Sequence, residues 1–539
     1  MRHAAILGLG TAAALLLAPA ARAQGSDAAT IAELRRQLTE MQRRLEQLER
    51  RSSAAAPRPA RAAPAAPPPE ALEARAAAAE ARAAAAEAAA ARRGAEQAQL
   101  ALSPAAIPGL EPPEPMGRPF ANEDALRSDL PGIAFRVPGT DTQVRLYGFA
   151  KLTAWTDANG RNQTDAPPPS QIPLRGSQAD RQGGDFGMTA RFSRFGVDTR
   201  TATRWGQLET RLEGDFGGGA ATSSNAVFRL RQAWAELGTE RFSVLAGQAN
   251  SLWNEGIFET LIDATNLNQS FIRQAQLRVT GRLAPGLTGQ VSIEAPETAV
   301  VTGVGTFNPG NNLGNGASPA FNAAPDLHGR LTYRDSGWEL GLRGMVRQLT
   351  LRTEDVGLPG ENQRKTAAGW GFAAHARMPM RVLSDSFGGD ELAVMAHYGE
   401  GIGRYFFGNT GGQDAVSNLG LPGAAQGVRL DALPTTAATI AYRRFWTDTL
   451  RSNFSYSWAR NDYPSYVAGF SAATRATLNR ELHQGFANLI WSPFAEWRNG
   501  VLATGWLDVG LEYLYTRRDL AGPGHGEANR FLFGAIARF

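Results

Sequence analysis

The chain contains no cysteine, which in a protein leaving the cytoplasm excludes a disulfide framework and removes thiolate metal sites and cysteine nucleophiles together. Histidine is scarce: six residues among 539, none at metal-ligand spacing with a second histidine, and His328, His375 and His397 read as wall residues. No metal and no cofactor is therefore expected. Lysine is nearly missing too, so the net charge of +4 is carried almost wholly by arginine. Those arginines are spread along the chain rather than gathered into an arm, which argues against nucleic acid as a partner. Beyond the first residues there is no long uninterrupted apolar run, so any membrane crossing falls to strands, because in lipid only helices and closed barrels satisfy their backbone.

What is present begins with Arg2 and His3, an apolar run over 4–18, and Ala21-Arg22-Ala23 before Gln24. That run falls short of the roughly 20 residues a bilayer-spanning helix needs and ends in small residues, so 1–23 is expected to be a cleaved signal peptide. Next, over 24–53, Ile31, Leu34, Leu38, Met41, Leu45 and Leu48 recur at spacings of three and four, the a/d stripe of a coiled coil. With Leu45 at a and Leu48 at d, Arg44 and Glu49 flank the seam, a pattern similar to trimer-specifying coiled coils. Ala and Pro over 54–69 form a spacer, 70–103 reads as an Ala-rich helix with Glu73, Glu80 and Glu87 at seven-residue intervals, and 104–143 is a Pro-rich linker.

From 144 to 539 the period changes to two. In 207–216, Leu208, Thr210, Leu212, Gly214 and Phe216 alternate with Gln207, Glu209, Arg211, Glu213 and Asp215, giving one apolar and one charged face. Sixteen such segments are predicted, the first eight at 144–155, 189–203, 206–216, 227–237, 241–249, 275–283, 287–295 and 327–335. The others are 338–349, 367–378, 391–399, 436–446, 450–460, 482–492, 505–517 and 529–539. Tight links such as 204–205, 284–286 and 336–337 alternate with long Gly-, Pro- and Asn-rich ones such as 250–274, 296–326 and 400–435. A sandwich has no reason to sort its loops so; a barrel with periplasmic turns and extracellular loops does. The expected fold is thus an all-β membrane protein, a 16-stranded antiparallel transmembrane β-barrel preceded by an α-helical coiled-coil extension in the periplasm. Phe531, Phe533, Ala535, Ala537 and Phe539 share the last strand's outer face, and Tyr147, Trp155, Trp338, Trp446, Trp506, Tyr513 and Tyr515 stand near strand ends as candidate girdle residues.

If the apolar face meets lipid, the alternate face lines a lumen carrying Arg194, Arg200, Arg211, Arg229, Arg231, Arg278, Arg282, Arg330, Arg334, Arg343, Arg347 and Arg377. These outnumber the inward acids Glu209, Glu213, Asp215, Glu294, Glu339, Asp508 and Glu512, so a positive wall that favours anions is expected. Guanidinium forks suit carboxylates, with small dicarboxylates the natural solutes. The competing reading is that these arginines only neutralise facing acids in cross-strand ladders. The third long loop, 250–274, carries Trp253, Glu255, Glu259 and Asp263 and is expected to fold inward as a constriction whose acids set a transverse field against the basic wall.

Val144-Arg145-Leu146-Tyr147-Gly148-Phe149, Ser193-Arg194-Phe195-Gly196, Glu213-Gly214-Asp215-Phe216, Arg229-Leu230-Arg231-Gln232-Ala233 and Ala246-Gly247-Gln248, in this order, resemble the DcaP-like porin family. The resemblance implies a homotrimeric outer-membrane porin with a periplasmic coiled coil, embedded in outer-membrane lipid and lipopolysaccharide and taking up dicarboxylic acids and other anions. The Ala-rich helix is longer than the family pattern requires, and substrate identity is not carried over. Two other classes compete. A barrel hydrolase needs a paired Ser/His site that the scattered histidines do not offer, and a trimeric surface adhesin contributes only a short barrel portion per chain. Gly303-Val304-Gly305 lacks the following helix of a nucleotide loop.

Overall fold

The computed structural model describes residues 128, 130–162, 164–219, 226–262, 266–309, 318–498 and 501–539. The expected signal peptide, the coiled coil with Ile31 to Leu48, the spacer, the Ala-rich helix and Asp263 lie outside the described residues. None of the described helices is long and apolar enough to cross a membrane.

Sixteen strands pair in sequence order and close on themselves. The first eight are β1 (Thr142–Asn159), β2 (Arg194–Thr203), β3 (Gly206–Asp215), β4 (Arg229–Gly238), β5 (Phe242–Asn250), β6 (Arg273–Ala284), β7 (Leu287–Glu294) and β8 (Asp326–Asp335). The second eight are β9 (Trp338–Arg352), β10 (Arg364–Pro379), β11 (Glu391–Glu400), β12 (Pro434–Phe445), β13 (Leu450–Asn461), β14 (Asn479–Trp491), β15 (Leu507–Leu520) and β16 (His525–Arg538). All neighbours run antiparallel, and β16 returns to β1 with Phe533 opposite Ala154. Every predicted strand is present. The period-two alternation sets the register, since slipping one residue would turn each charged row toward the outside. Exposed Leu152, Leu212, Leu277, Val291, Leu342, Phe372, Ile440, Leu511 and Phe531 stand on the outer face, while their neighbours face a polar interior.

The tight connections form as expected. At the link between β8 and β9, Ser336 and Gly337 both adopt positive φ, the geometry that matches the twist of a two-residue hairpin. Two details differ from the expectation. The strand predicted at 189–203 is broken: Asp185–Thr189 pairs with the upper part of β1, the chain turns at 190–193, and the Ser193 hydroxyl accepts the Lys151 N–H at 3.0 Å in place of a ladder carbonyl. Within the segment read as a linker, Ile133–Arg136 is a strand paired with 143–146 of β1, in line with the end of β16, where Phe539 exchanges backbone hydrogen bonds with Gly148.

Candidate functional site

The strand alternation carries each of the twelve predicted lumen arginines to an inward position, and their partners divide them into two groups. Eight meet carboxylates: Arg194 with Glu213 (3.4 Å), Arg200 with Glu209 (3.3 Å), Arg211 with Asp198 (2.8 Å), Arg229 with Asp215 (2.8 Å), Arg231 with both Glu213 (3.1 Å) and Asp215 (2.5 Å), Arg330 with Glu255 (2.7 Å), Arg334 with Glu339 (2.9 Å), and Arg347 with Asp326 (3.3 Å) and Asp414 (2.8 Å). Four do not: Arg278 bonds Gln276 and the Asn250 carbonyl, Arg343 the Trp253 carbonyl (2.6 Å) and Arg377 the Ile257 carbonyl (2.7 Å), while Arg282 is exposed near the end of β6. The ladder reading therefore holds over β2–β4, where Tyr147 also donates to Glu213 at 3.1 Å. A uniformly bare basic wall does not form.

The described parts of the third long loop, 251–262 and 266–272, pack along the inner wall. Trp253 is fully buried with Phe271, Ile272, Met345, Ala373, Ile402, Tyr405 and Phe406. Ile257 and Phe258 pack on Ala393, Met395 and Ala441; Leu261 and Ile262 on Trp155, Phe486, Ile490, Leu514 and Leu532; Leu267 on Ala437, Ala459 and Leu482. Gly510 and Gly534 leave room for Leu261, whose side chain lies 3.3 Å and 3.1 Å from where their Cβ atoms would stand. A buried loop must also find partners for its backbone. Wall cations and amides supply them: Arg330 reaches the Asn254 carbonyl (3.0 Å), Asn488 that of Glu259 (2.8 Å) and Lys151 that of Leu261 (3.2 Å), while Glu512 accepts from Leu261 N–H (2.9 Å) and the Thr260 hydroxyl (2.7 Å).

Glu255 and Glu259 are placed otherwise than a transverse field would need. Glu255 bonds Arg330 and lies 3.4 Å from His375; Glu259 bonds Arg443 and lies 3.4 Å from Arg451. Both carboxylates are spent on anchoring the loop to β8, β10, β12 and β13, so they face their own salt-bridge partners rather than an opposing wall across open water. Burial alone pushes the Glu259 carboxyl up, yet the Arg443 and Arg451 guanidiniums outweigh it and hold it at about 2. Arg443, Arg451, Lys151, Asn488 and Glu512 are the anchors that sequence reading missed. A signal for them existed: inward positions of β10 and β12–β15 carry Ala373, Ala437, Ala459, Leu482, Phe486 and Leu514, which are too small or too apolar for a wall facing water.

Described parts of other long loops also pack. Val300, Phe307, Ala320, Leu349, Leu351, Ala415, Ala424 and Val428 form one buried cluster and Val301, Val416, Leu433, Phe470 and Leu478 another, joined by a four-stranded sheet of Val300–Thr302, Gly305–Phe307, Ala415–Ser417 and Leu430–Ala432. Arg347, with its ion pairs to Asp326 and Asp414, ties this lid to the wall, and the Tyr405 hydroxyl donates to Asp326 at 2.7 Å.

Of the three wall histidines, His328 contacts the Tyr405 hydroxyl at 3.1 Å and His397 stacks on Phe406 with ring centroids 3.6 Å apart. His375 sits between Glu255 and Glu339, and this trio brings ligand-capable atoms within 4.8 Å of one another, a grouping hidden by sequence distance. Arg330 and Arg334 already occupy both carboxylates, so the trio is suited to pinning the loop rather than holding a cation. Among the candidate girdle residues, Tyr147 and Trp155 turn inward; Trp446, Trp506 and Tyr513 lie exposed outside.

Residues 134–286, spanning β1 to β6, match the sequence profile of the DcaP outer membrane protein family, in agreement with the motifs read from the chain. Among solved structures, the outer membrane channel DcaP of Acinetobacter baumannii superposes with a TM-score of 0.58 at 21% identity, over 74% of this chain and 97% of that one. An anion-selective porin from Comamonas acidovorans gives a TM-score of 0.43 at 10% identity, over 74% of this chain and all (100%) of that one. No curated relative matches by sequence.

Proposed function

We propose that the protein is an outer-membrane porin, a passive diffusion channel for small hydrophilic solutes that prefers anions such as dicarboxylates. The closed sixteen-stranded wall with an apolar outside and polar inside, together with the family match over β1 to β6, supports the channel. The anion preference is supported by one observation: Arg278, Arg282, Arg343 and Arg377 face inward with no carboxylate at ion-pair distance among the described residues. The heptad residues Ile31 to Leu48 support self-association into a homotrimer, with the extension in the periplasm and the barrel in lipid and lipopolysaccharide.

The test is conductance of the purified protein in a planar bilayer under a salt gradient, with and without added dicarboxylates. A reversal potential on the anion side, shifted or blocked by dicarboxylate, is the expected result. Absence of conductance overturns the channel; cation preference overturns the selectivity.

A further inference from the structure

Arginines stand on the outside of the barrel near the long-loop ends of several strands. On β15 Arg517 meets Asp519 (3.0 Å) and Glu527 (2.9 Å), and at the end of β13 Arg460 meets Asp462 (3.0 Å). Arg352 and Arg364 have no such partners and stand directly opposite each other across β9 and β10, like charge against like. The unbroken register from exposed Leu342 and Phe372 carries both side chains to the outer face, whereas Leu351 turns into the buried cluster beneath. Among the described residues no carboxylate stands at ion-pair distance from Arg352, Arg364 or the adjoining Lys365. Arg352 lies 3.8 Å over the Phe321 ring with its Nε buried and unpartnered, and the nearby Thr350 hydroxyl is likewise buried without a partner. Like charges directly opposite in a sheet destabilise it, a cost that a bound anion would offset.

Below this pair the same two strands help to floor a shallow apolar groove on the outside of β6 to β13. Gly344, Ala374, Ala396 and Ala438 keep the floor low, and Phe372 and Tyr398 stand beside it. At its head the Trp370 ring packs edge-on against Phe372 (5.9 Å) and Tyr398 (5.5 Å), an amphipathic cluster of the kind that marks the lipid headgroup layer. Arg364 stands six residues beyond Trp370 on β10, about 20 Å along a strand that rises about 3.3 Å per residue. We infer that this face of β9 and β10 holds a phosphorylated glycolipid of the outer leaflet, with an acyl chain in the groove and a sugar phosphate between Arg352 and Arg364. The assignment rests on the outer-membrane placement proposed above. Guanidinium forks suit phosphate oxygens, and the ring beneath Arg352 fixes the plane of one fork. The pair lies beyond the headgroup layer, so the phosphate belongs to a lipid whose sugars extend outward. A free phosphate would use the guanidiniums alone; the groove on the same strands makes the lipid the occupant.

The probes are purified lipopolysaccharide, the same material stripped of phosphate, the same material stripped of acyl chains, and inorganic phosphate. Their binding to full-length protein in detergent is measured by thermophoresis for the natural chain, the double variant Arg352→Gln with Arg364→Gln, the groove-filling Ala396→Phe, and Arg460→Gln as a control. The double variant and Ala396→Phe are each expected to bind intact lipopolysaccharide about tenfold more weakly than the natural chain, and Arg460→Gln to bind as the natural chain does. Stripping either phosphate or acyl chains from the probe should reproduce the loss. Affinity unchanged by the double substitution, or by Ala396→Phe, overturns the site. Inorganic phosphate or the deacylated sugar binding as tightly as the intact glycolipid overturns the lipid as occupant. The two variants alter different parts of the site, so a folding failure of one leaves the other to decide. Binding in detergent is read independently of conductance, so losing this site leaves the channel standing, and a silent bilayer leaves the binding result intact.

Discussion

Arg443 on β12 and Glu259 of the inserted loop form a buried ion pair, with Arg451 on β13 lying 3.4 Å from the same carboxylate. The loop tip is thereby fixed to the wall by charge as well as by the apolar contacts of Ile257, Phe258 and Leu261.

Removing one member of such a pair leaves the other charge buried, at a cost of about 3–5 kcal/mol. Arg443→Met is expected to loosen the loop, seen as a lower unfolding temperature and larger, noisier single-channel conductance. A variant with wild-type conductance and stability would show that the loop is held by its apolar contacts alone.

The same pair sets a pH limit. With the Glu259 carboxyl held at about 2 in the folded protein against an ordinary 4.5, its contribution is fully present above pH 4.5 and is lost as pH falls through 2. Unfolding midpoints measured from pH 6 downward should fall more steeply for the natural protein than for Glu259→Gln below the ordinary carboxylate range.

Trp253 is the apolar root of the loop, with 0% exposure. Trp253→Ala should cost about 3–5 kcal/mol, as expected for truncating a packed aromatic, and widen the channel. Denaturant melts and conductance in 1 M salt read both effects from one preparation.

Selectivity and stability should separate between the two groups of arginines. Arg377→Gln removes an inward positive charge that forms no ion pair among the described residues and is expected to lower the anion-to-cation permeability ratio with a small change in stability. Arg347→Gln strands Asp326 and Asp414, each fully buried, and is expected to destabilise the fold strongly. Reversal potentials and thermal melts on both variants check the division; equal selectivity changes would erase it.

Gly510 faces Leu261, and an added Cβ would stand 3.3 Å from that side chain and 3.0 Å from the Leu489 carbonyl. Gly510→Val should displace the loop toward the lumen and reduce conductance, whereas Gly485→Val on neighbouring β14, where the nearest atom is 3.6 Å away on the outer face, should leave conductance unchanged.

The order and register of the wall were legible from residue alternation alone. Leu208 to Asp215 read as one apolar and one charged row, and the strand formed with that register, because a one-residue slip would put Glu213 and Asp215 in lipid. That the third long loop packs rather than standing in water was also legible, since Trp253 and its apolar neighbours are out of place in water. The break at 190–193 was not, because it depends on the Ser193 hydroxyl meeting a backbone N–H on another strand.

The sequence by itself determined which residues face inward, since period two is a property of each strand alone. Only the tertiary structure decided which inward arginines meet a carboxylate at contact distance. Arg330 and Arg377 are indistinguishable in sequence, yet Arg330 meets Glu255 while Arg377 meets a carbonyl, because one loop lies across both. The expected transverse field gave way to anchoring pairs for the same reason: whether two charges touch is set by the path of the chain across the lumen, and at contact distance a carboxylate and a guanidinium cancel each other before they act on a passing solute.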